Sequence, residues 1–285
     1  MSLRLPTRPE IPEGFRIPFR DERVEELPLR RFLFPGGLVD PARAVVLIPG
    51  LAASGRSFAR QAPLAARFDL RPLTGPLSMP LPGNPIDSLA RVVVSYAGQL
   101  QRPVLLGASF GSLVALSAAA HLGYGAALSG LVLVSALASG IMVPRRYAAL
   151  AGAMLAPRPL AWLAAPVAAR IIGGPEIDRE ARTELVRESR LVDAAEMFRR
   201  VNAILSSDLV EVLPRLRCPV LLVHGTRDHV IPVSAARAMA DELPDGRYVE
   251  MPGAGHTPYL SHPVQFNGLL EAFLDEVLPP QTPRA

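Results

Sequence analysis

An α/β fold, with a mostly parallel, twisted sheet and helices on both faces, is what this chain predicts. Three observations carry the prediction. Short runs made wholly of apolar residues recur at 44–48, 104–106, 131–134 and 220–223. Runs of that length without polar alternation read as strands buried on both faces, as parallel strands are. Segments with helical spacing lie between them, which is the pattern of strand–helix–strand units. The run at 104–106 then passes through Gly107-Ala108-Ser109-Phe110-Gly111 into an Ala- and Leu-rich helical stretch. A strand that feeds Gly-x-Ser-x-Gly and opens a helix makes a sharp turn that pushes the serine hydroxyl into the open.

Along the chain, residues 15–34 are expected to form two short strands ending at Pro35-Gly36-Gly37. Ala44-Val45-Val46-Leu47-Ile48 is the next strand, with a helix near 57–66 after it. Residues 68–72 make another strand; a proline-rich loop through Pro85 then leads to a helix over 88–100. Leu131-Val132-Leu133-Val134 follows the helix that Ser109 opens. From 141 to 206 the spacing turns helical and offers no strand candidate. Residues 208–216 lead back to a strand at 219–225 and a shorter one at 248–251, and the last two helices are expected at 234–243 and 263–277. The expected organisation is one core formed by 1–140 and 207–285, interrupted by a helical insertion over 141–206. A chain of 285 residues is long enough to bury a sizeable core in that form.

Three residues suited to nucleophilic chemistry sit at the ends of these strands. Ser109 lies in the turn already described. Asp228 lies in Thr226-Arg227-Asp228, just past the strand at 219–225. His256 lies in Pro252-Gly253-Ala254-Gly255-His256, just past the strand at 248–251. Open α/β sheets place their ligand sites at the carboxyl ends of strands. A serine hydroxyl is a poor nucleophile until an imidazole takes its proton, and a buried carboxylate then fixes the tautomer and stabilises the imidazolium. The loop after the strand at 131–134, Ser135-Ala136-Leu137-Ala138-Ser139, holds no carboxylate, so Asp228 stands alone as the acid.

In these motifs the chain resembles the α/β-hydrolase fold superfamily over residues 28–280, as a serine hydrolase with a Ser-Asp-His triad. The resemblance implies about eight strands and a helical lid at the 141–206 insertion. It also implies that the first oxyanion N–H comes from the loop after 44–48, which here reads Pro49-Gly50-Leu51. By alignment the donors are the backbone N–H groups of Leu51 and Phe110. Many relatives carry His-Gly where this chain has Pro49-Gly50, and the Pro-Gly-Leu opening is similar to an esterase-like subgroup. Relatives also often carry Gly-His-Gly-x-Ser where this chain reads Arg71-Pro72-Leu73-Thr74-Gly75-Pro76-Leu77-Ser78, a different cleft wall.

Composition narrows the function. The formal charge is +4, but all 30 basic residues are arginine. Without lysine there is neither a Schiff-base lysine nor a Walker A lysine. The arginines interleave with acids, as in Arg179-Glu180-Ala181-Arg182, where a nucleic-acid binder clusters them on one stripe. No nucleic-acid partner is expected. The single cysteine, Cys218, precedes a buried strand and reads as core packing. No Cys/His cluster has zinc-ligand spacing, and neither metal nor cofactor is expected. Residues 1–26 lack the apolar core of an export signal, so the expected location is cytoplasmic. The Ala- and Leu-rich stretch at 147–172 is broken by Pro157, Arg158, Pro159, Pro166 and Arg170. It reads as two short helices rather than a membrane span, with membrane contact through the lid as the weaker reading.

Other candidates have plainer readings. His121 falls in the helix after Ser109, His224 ends a strand as a core histidine, His229 lines the cleft, and His262 precedes a proline at a helix start. Arg145 and Arg146 suit a substrate carboxylate but read first as lid surface; Trp162, Met142 and Met154 suit an acyl pocket but read first as packing. The expected activity is hydrolysis of a carboxylic ester or similar small acyl compound through an acyl-enzyme on Ser109. Acyl transfer with the same triad, carbon–carbon bond or lactone hydrolysis, and a non-catalytic binding role are the alternatives. The sequence leaves substrate-binding residues and oligomeric state open.

Overall fold

The computed structural model describes residues 40–73, 82–144, 166–167, 169–189 and 194–279. The apolar runs are strands: β1 (Ala44–Ile48), β2 (Asp69–Pro72), β3 (Val104–Ala108), β4 (Gly130–Val134), β5 (Val220–Gly225) and β6 (Gly246–Met251). Among the described residues these six form one sheet in the order β2-β1-β3-β4-β5-β6, every pair parallel. The strands expected at 15–34 lie outside the described residues.

Side chains alternate between two cores because successive Cβ atoms of a strand point to opposite faces. Val46, Ile48, Leu105, Leu131, Leu133 and Leu222 belong to one buried cluster. Val45, Leu47, Leu106, Val132, Val134 and Val223 belong to the other. The first face is covered by α1 (Pro85–Ala97), α2 (Phe110–His121) and α5 (Val233–Asp241). The second is covered by the 3-10 helix Gly55–Ala66 and by α7 (Pro263–Val277), which follows the short α6 (Pro258–Ser261). Helices between β4 and β5 include α3 (Arg179–Ser189) and α4 (Ala194–Leu205).

Two elements differ from the sequence expectation for local reasons. The helix expected near 57–66 is a 3-10 helix containing Pro63, whose ring lacks an N–H and clashes with the carbonyl four residues back in an α-helix. The helix expected over 88–100 starts at Pro85 and ends at Ala97. Asn84 caps it, its side-chain oxygen accepting from the N–H groups of Ile86 and Asp87, and proline fits the first helical position.

The strand order sets the place of the site. Between β1 and β3 the chain reverses its direction of travel across the sheet, the kind of switch point at which open α/β sheets bind ligands. The segment after β4 and the segment before β5 are tied together. Ser139 and Asp208 form an antiparallel bridge, Gly140 N donates to Ser207 O at 2.9 Å, and Leu209 N donates to Ala138 O at 2.7 Å. The chain leaves and rejoins the sheet at adjacent points.

Leu222 is fully buried at the centre of the first cluster, on β5. Its truncation to alanine should cost about 2–5 kcal/mol, because the packed neighbours relax only partly into the cavity. Urea denaturation checks this, and a loss below about 1 kcal/mol would contradict the packing described.

Candidate active site

Ser109 is half-buried and caps α2 with φ 53° and ψ −117°, a conformation that L-residues seldom adopt. Such a residue costs of order 1–3 kcal/mol and persists only where its surroundings over-determine it. Ser109 N donates to Val134 O at 2.9 Å, and Ser109 O accepts from the N–H and the hydroxyl of Ser112 at 2.8 and 2.6 Å. The glycines on either side leave the room. A Cβ on Gly107 would collide with the Gly111 carbonyl, and one on Gly111 would collide with the carbonyl of Ile48 at the end of β1. The start of α2 is thereby seated on the end of β1, and the loop after β1 runs beside the serine. A Cβ on Gly50 would stand 3.6 Å from Ser109 Cβ.

The chain brings Ser109, His256 and Asp228 into one hydrogen-bonded line. His256 Nε2 lies 2.8 Å from Ser109 Oγ, and His256 Nδ1 lies 2.7 Å from Asp228 Oδ2. The carboxylate needs the imidazole Nδ1 as donor, which leaves Nε2 to accept from the serine hydroxyl. Main-chain hydrogen bonds seat the ring: His256 N donates to Ile172 O at 3.0 Å. Residue 172 lies between β4 and β5, so the chain there reaches the loop that carries His256.

Asp228 is buried and fully used. Its Oδ1 accepts from the N–H groups of Val230 and Ile231 at 2.7 and 2.9 Å, closing the turn that leads to α5. Burial pushes its pKa up, but the attraction and hydrogen bond of His256 and the Ile231 N–H outweigh burial. The carboxyl is held below its usual range. His224 is the residue that sequence reasoning undervalued. It is fully buried, with Nε2 3.0 Å from Ile231 O and 3.3 Å from Asp228 Oδ2. Burial holds its pKa below the ordinary histidine value, the Asp228 charge opposing that shift. A neutral His224 donates from Nε2 to Ile231 O and adds no second cation beside the acid.

The remaining histidines are apart from this line. His121 pairs with Asp87 at 3.0 Å on the surface, His262 pairs with Glu176 at 2.8 Å at the start of α7, and His229 is exposed. Cys218 is buried, and burial pushes its thiol up to about 11. Met142 is half-buried against the first core cluster. Arg145, Arg146, Met154 and Trp162 lie outside the described residues.

Sequence reasoning also missed two charged side chains that reach the loop after β1. Arg200, on α4, is 1% exposed; its Nη1 donates to Leu51 O at 3.2 Å and its guanidinium carbon lies 5.7 Å from the centre of the Phe110 ring. Glu188, on α3, is buried and accepts the Ser54 N–H at 2.6 Å. Only the four-residue spacing of Glu196 and Arg200, which pair at 2.9 Å, was visible beforehand.

The family model described as the alpha/beta hydrolase family matches residues 45–269. A polyketide synthase of Burkholderia thailandensis, ThaQ, is 32% identical over 93% of this chain. The chain spans 14% of that protein's length. The RutD protein of Cronobacter turicensis, whose name proposes carbamate hydrolysis, is 30% identical over 63% of this chain and 68% of its own length. Among solved structures, the esterase RhEst1 of a Rhodococcus species superposes with a TM-score of 0.70 at 25% identity, covering 84% of this chain and 92% of that one. The chain belongs to the alpha/beta hydrolase family.

Two outcomes test this geometry. Gly111→Ala should cost about 1–3 kcal/mol in urea denaturation, because the new methyl meets backbone of β1 rather than a side chain that can turn away. Wild-type stability at that position would contradict the close approach. The depressed pKa of His224 gives the second outcome. Above pH ~6.5 both folded and unfolded states hold it neutral; below that, the unfolded state binds a proton that the folded state refuses. Its contribution to stability should therefore fall with pH below ~6.5, by up to about 1.4 kcal/mol per pH unit. His224→Gln should flatten that slope in denaturation curves taken between pH 7 and 5, and an unchanged slope would contradict the burial argument.

Proposed function

We propose that this enzyme hydrolyses a carboxylic ester or a similar small acyl compound through an acyl-enzyme on Ser109. The observation that carries the reading is the continuous hydrogen-bonded line from Ser109 Oγ through the His256 ring to Asp228 Oδ2. Its position at the strand ends beside the β1–β3 switch point supports it. The names of RhEst1 and RutD agree with attack on ester-like carbonyls.

In this reading His256 Nε2 takes the serine proton as Oγ attacks the carbonyl carbon. The tetrahedral intermediate places its oxyanion at the backbone N–H groups of Leu51 and Phe110, fixed donors that strengthen as charge develops. The start of α2 adds the positive end of its dipole. The intermediate collapses, the carbon–oxygen bond to the leaving group breaks, and His256 gives that oxygen its proton. A water molecule then loses a proton to His256 and attacks the acyl carbon, which frees Ser109 and releases the acid. Asp228 stays ionised and holds Nδ1–H toward itself throughout.

The interval 141–206 serves, we propose, as a cap over Ser109 whose apolar underside receives the acyl chain. Support comes from the tie between the segments that flank it and from the contacts of Ile172, Glu188 and Arg200 with the loops that carry His256, Ser54 and Leu51.

Turnover of p-nitrophenyl esters by folded variants tests the mechanism. Ser109→Ala should lower kcat by roughly 10⁶. Asp228→Asn keeps an oxygen for Val230 and Ile231 but offers an N–H to His256 Nδ1, so the wrong tautomer is favoured and kcat should fall by about 10⁴. Near-normal turnover in folded Asp228→Asn would mean that another acid serves His256. Asp69 is then a poor substitute, because Arg71 holds it at 2.7 Å on β2.

A further inference from the structure

We propose that Arg200 is a positioning residue for the oxyanion site, acting from the insertion on both residues that supply its donors. This rests on the acyl-enzyme reading above and deepens it.

The side chain is buried where burial is costly. At 1% exposure the guanidinium has lost its water, a loss of several kcal/mol per ion unless partners replace it. Glu196, 3% exposed, is one partner, with Oε1 accepting from Arg200 Nε at 2.9 Å. An ion pair of this kind seldom stabilises a fold more than apolar residues of similar volume would. The same helix exposes Phe198 at 52% while it buries Arg200, the reverse of ordinary amphipathic order. What the buried charge touches accounts for the inversion. Nη1 donates to the carbonyl of Leu51, and the guanidinium lies near the face of Phe110. Leu51 and Phe110 are the residues whose backbone N–H groups the mechanism needs.

The loop that carries Leu51 calls for external support. Within 49–54 it makes one long main-chain hydrogen bond, Ala53 N to Gly50 O at 3.3 Å. Its other end is held in the same manner by Glu188, which accepts from Ser54 N at 2.6 Å. Helices α3 and α4 thus grip the loop at two points, and a donor displaced by even about 1 Å can cost up to ~10²-fold in rate. In this reading Arg200 acts through the Leu51 peptide rather than on the substrate.

The test is Arg200→Met in a Glu196→Gln background, which removes the contact without stranding a buried carboxylate. Three quantities are read: kcat and KM for a p-nitrophenyl ester, and Ki for a trifluoromethyl ketone that adds Ser109 Oγ to form an oxyanion. The expected result is kcat lower by about 10–100-fold, KM within about twofold, and Ki raised in step with the loss in kcat/KM. Single Arg200→Lys, which keeps a donor for Leu51 O, should recover part of both losses. An unchanged kcat and Ki in a folded double variant would overturn the proposal. So would a loss confined to KM, which would make Arg200 a substrate contact. If the double variant does not fold, the comparison of Arg200→Lys with wild type on the same two quantities decides. Absence of turnover and of ketone binding in the wild-type enzyme would instead overturn the acyl-enzyme reading, and this proposal with it.

Discussion

The close approach between the start of α2 and the end of β1 is the constraint on which the rest of the site depends. Ser109 holds an unfavourable backbone conformation because its neighbours allow no other path. Gly111 lies against the carbonyl of Ile48 and Gly107 lies against Gly111, so strand, turn and helix lock as one unit. That lock fixes the Ser109 backbone and brings the Leu51 loop alongside. The His256 and Leu51 loops are arranged around a serine whose backbone is held in place.

The second requirement is electrostatic. An imidazole must face the serine as an acceptor, and its tautomer must not wander. Asp228 meets this because both of its oxygens are committed, Oδ1 to two backbone N–H groups and Oδ2 to His256. A carboxylate that accepts several hydrogen bonds in a buried place stays ionised and immobile. His224 completes the arrangement by being buried and neutral: its Nε2–H goes to Ile231 O, so the acid keeps its charge for His256.

Much of this was legible in the sequence, and the reason is local. Ser109 and Asp228 each follow an apolar run, and all three of Ser109, Asp228 and His256 sit among turn residues, so main-chain grammar marks them before any tertiary contact is known. The strands β1, β3, β4 and β5 were legible for the same reason. Helix limits were less so: Asn84 and Pro85 move α1 three residues forward from the periodic pattern, and Pro63 turns an expected α-helix into a 3-10 helix. Arg200, Glu188 and His224 were not legible as parts of the site. An arginine four residues after a glutamate reads as a solvated helical pair, and only tertiary packing turns that face inward. The burial of Glu188 and Arg200 comes from contacts with the loop after β1, which lies far away in sequence.

The central claim is that Ser109 is the nucleophile of a working acyl-transfer site. The most direct measurement is peptide mass mapping after reaction of the wild-type enzyme with a fluorophosphonate. The account predicts a single adduct on Ser109, formed at a rate that falls when His256 is replaced by alanine. An adduct on another serine, or labelling of Ser109 at the same rate without His256, would contradict it.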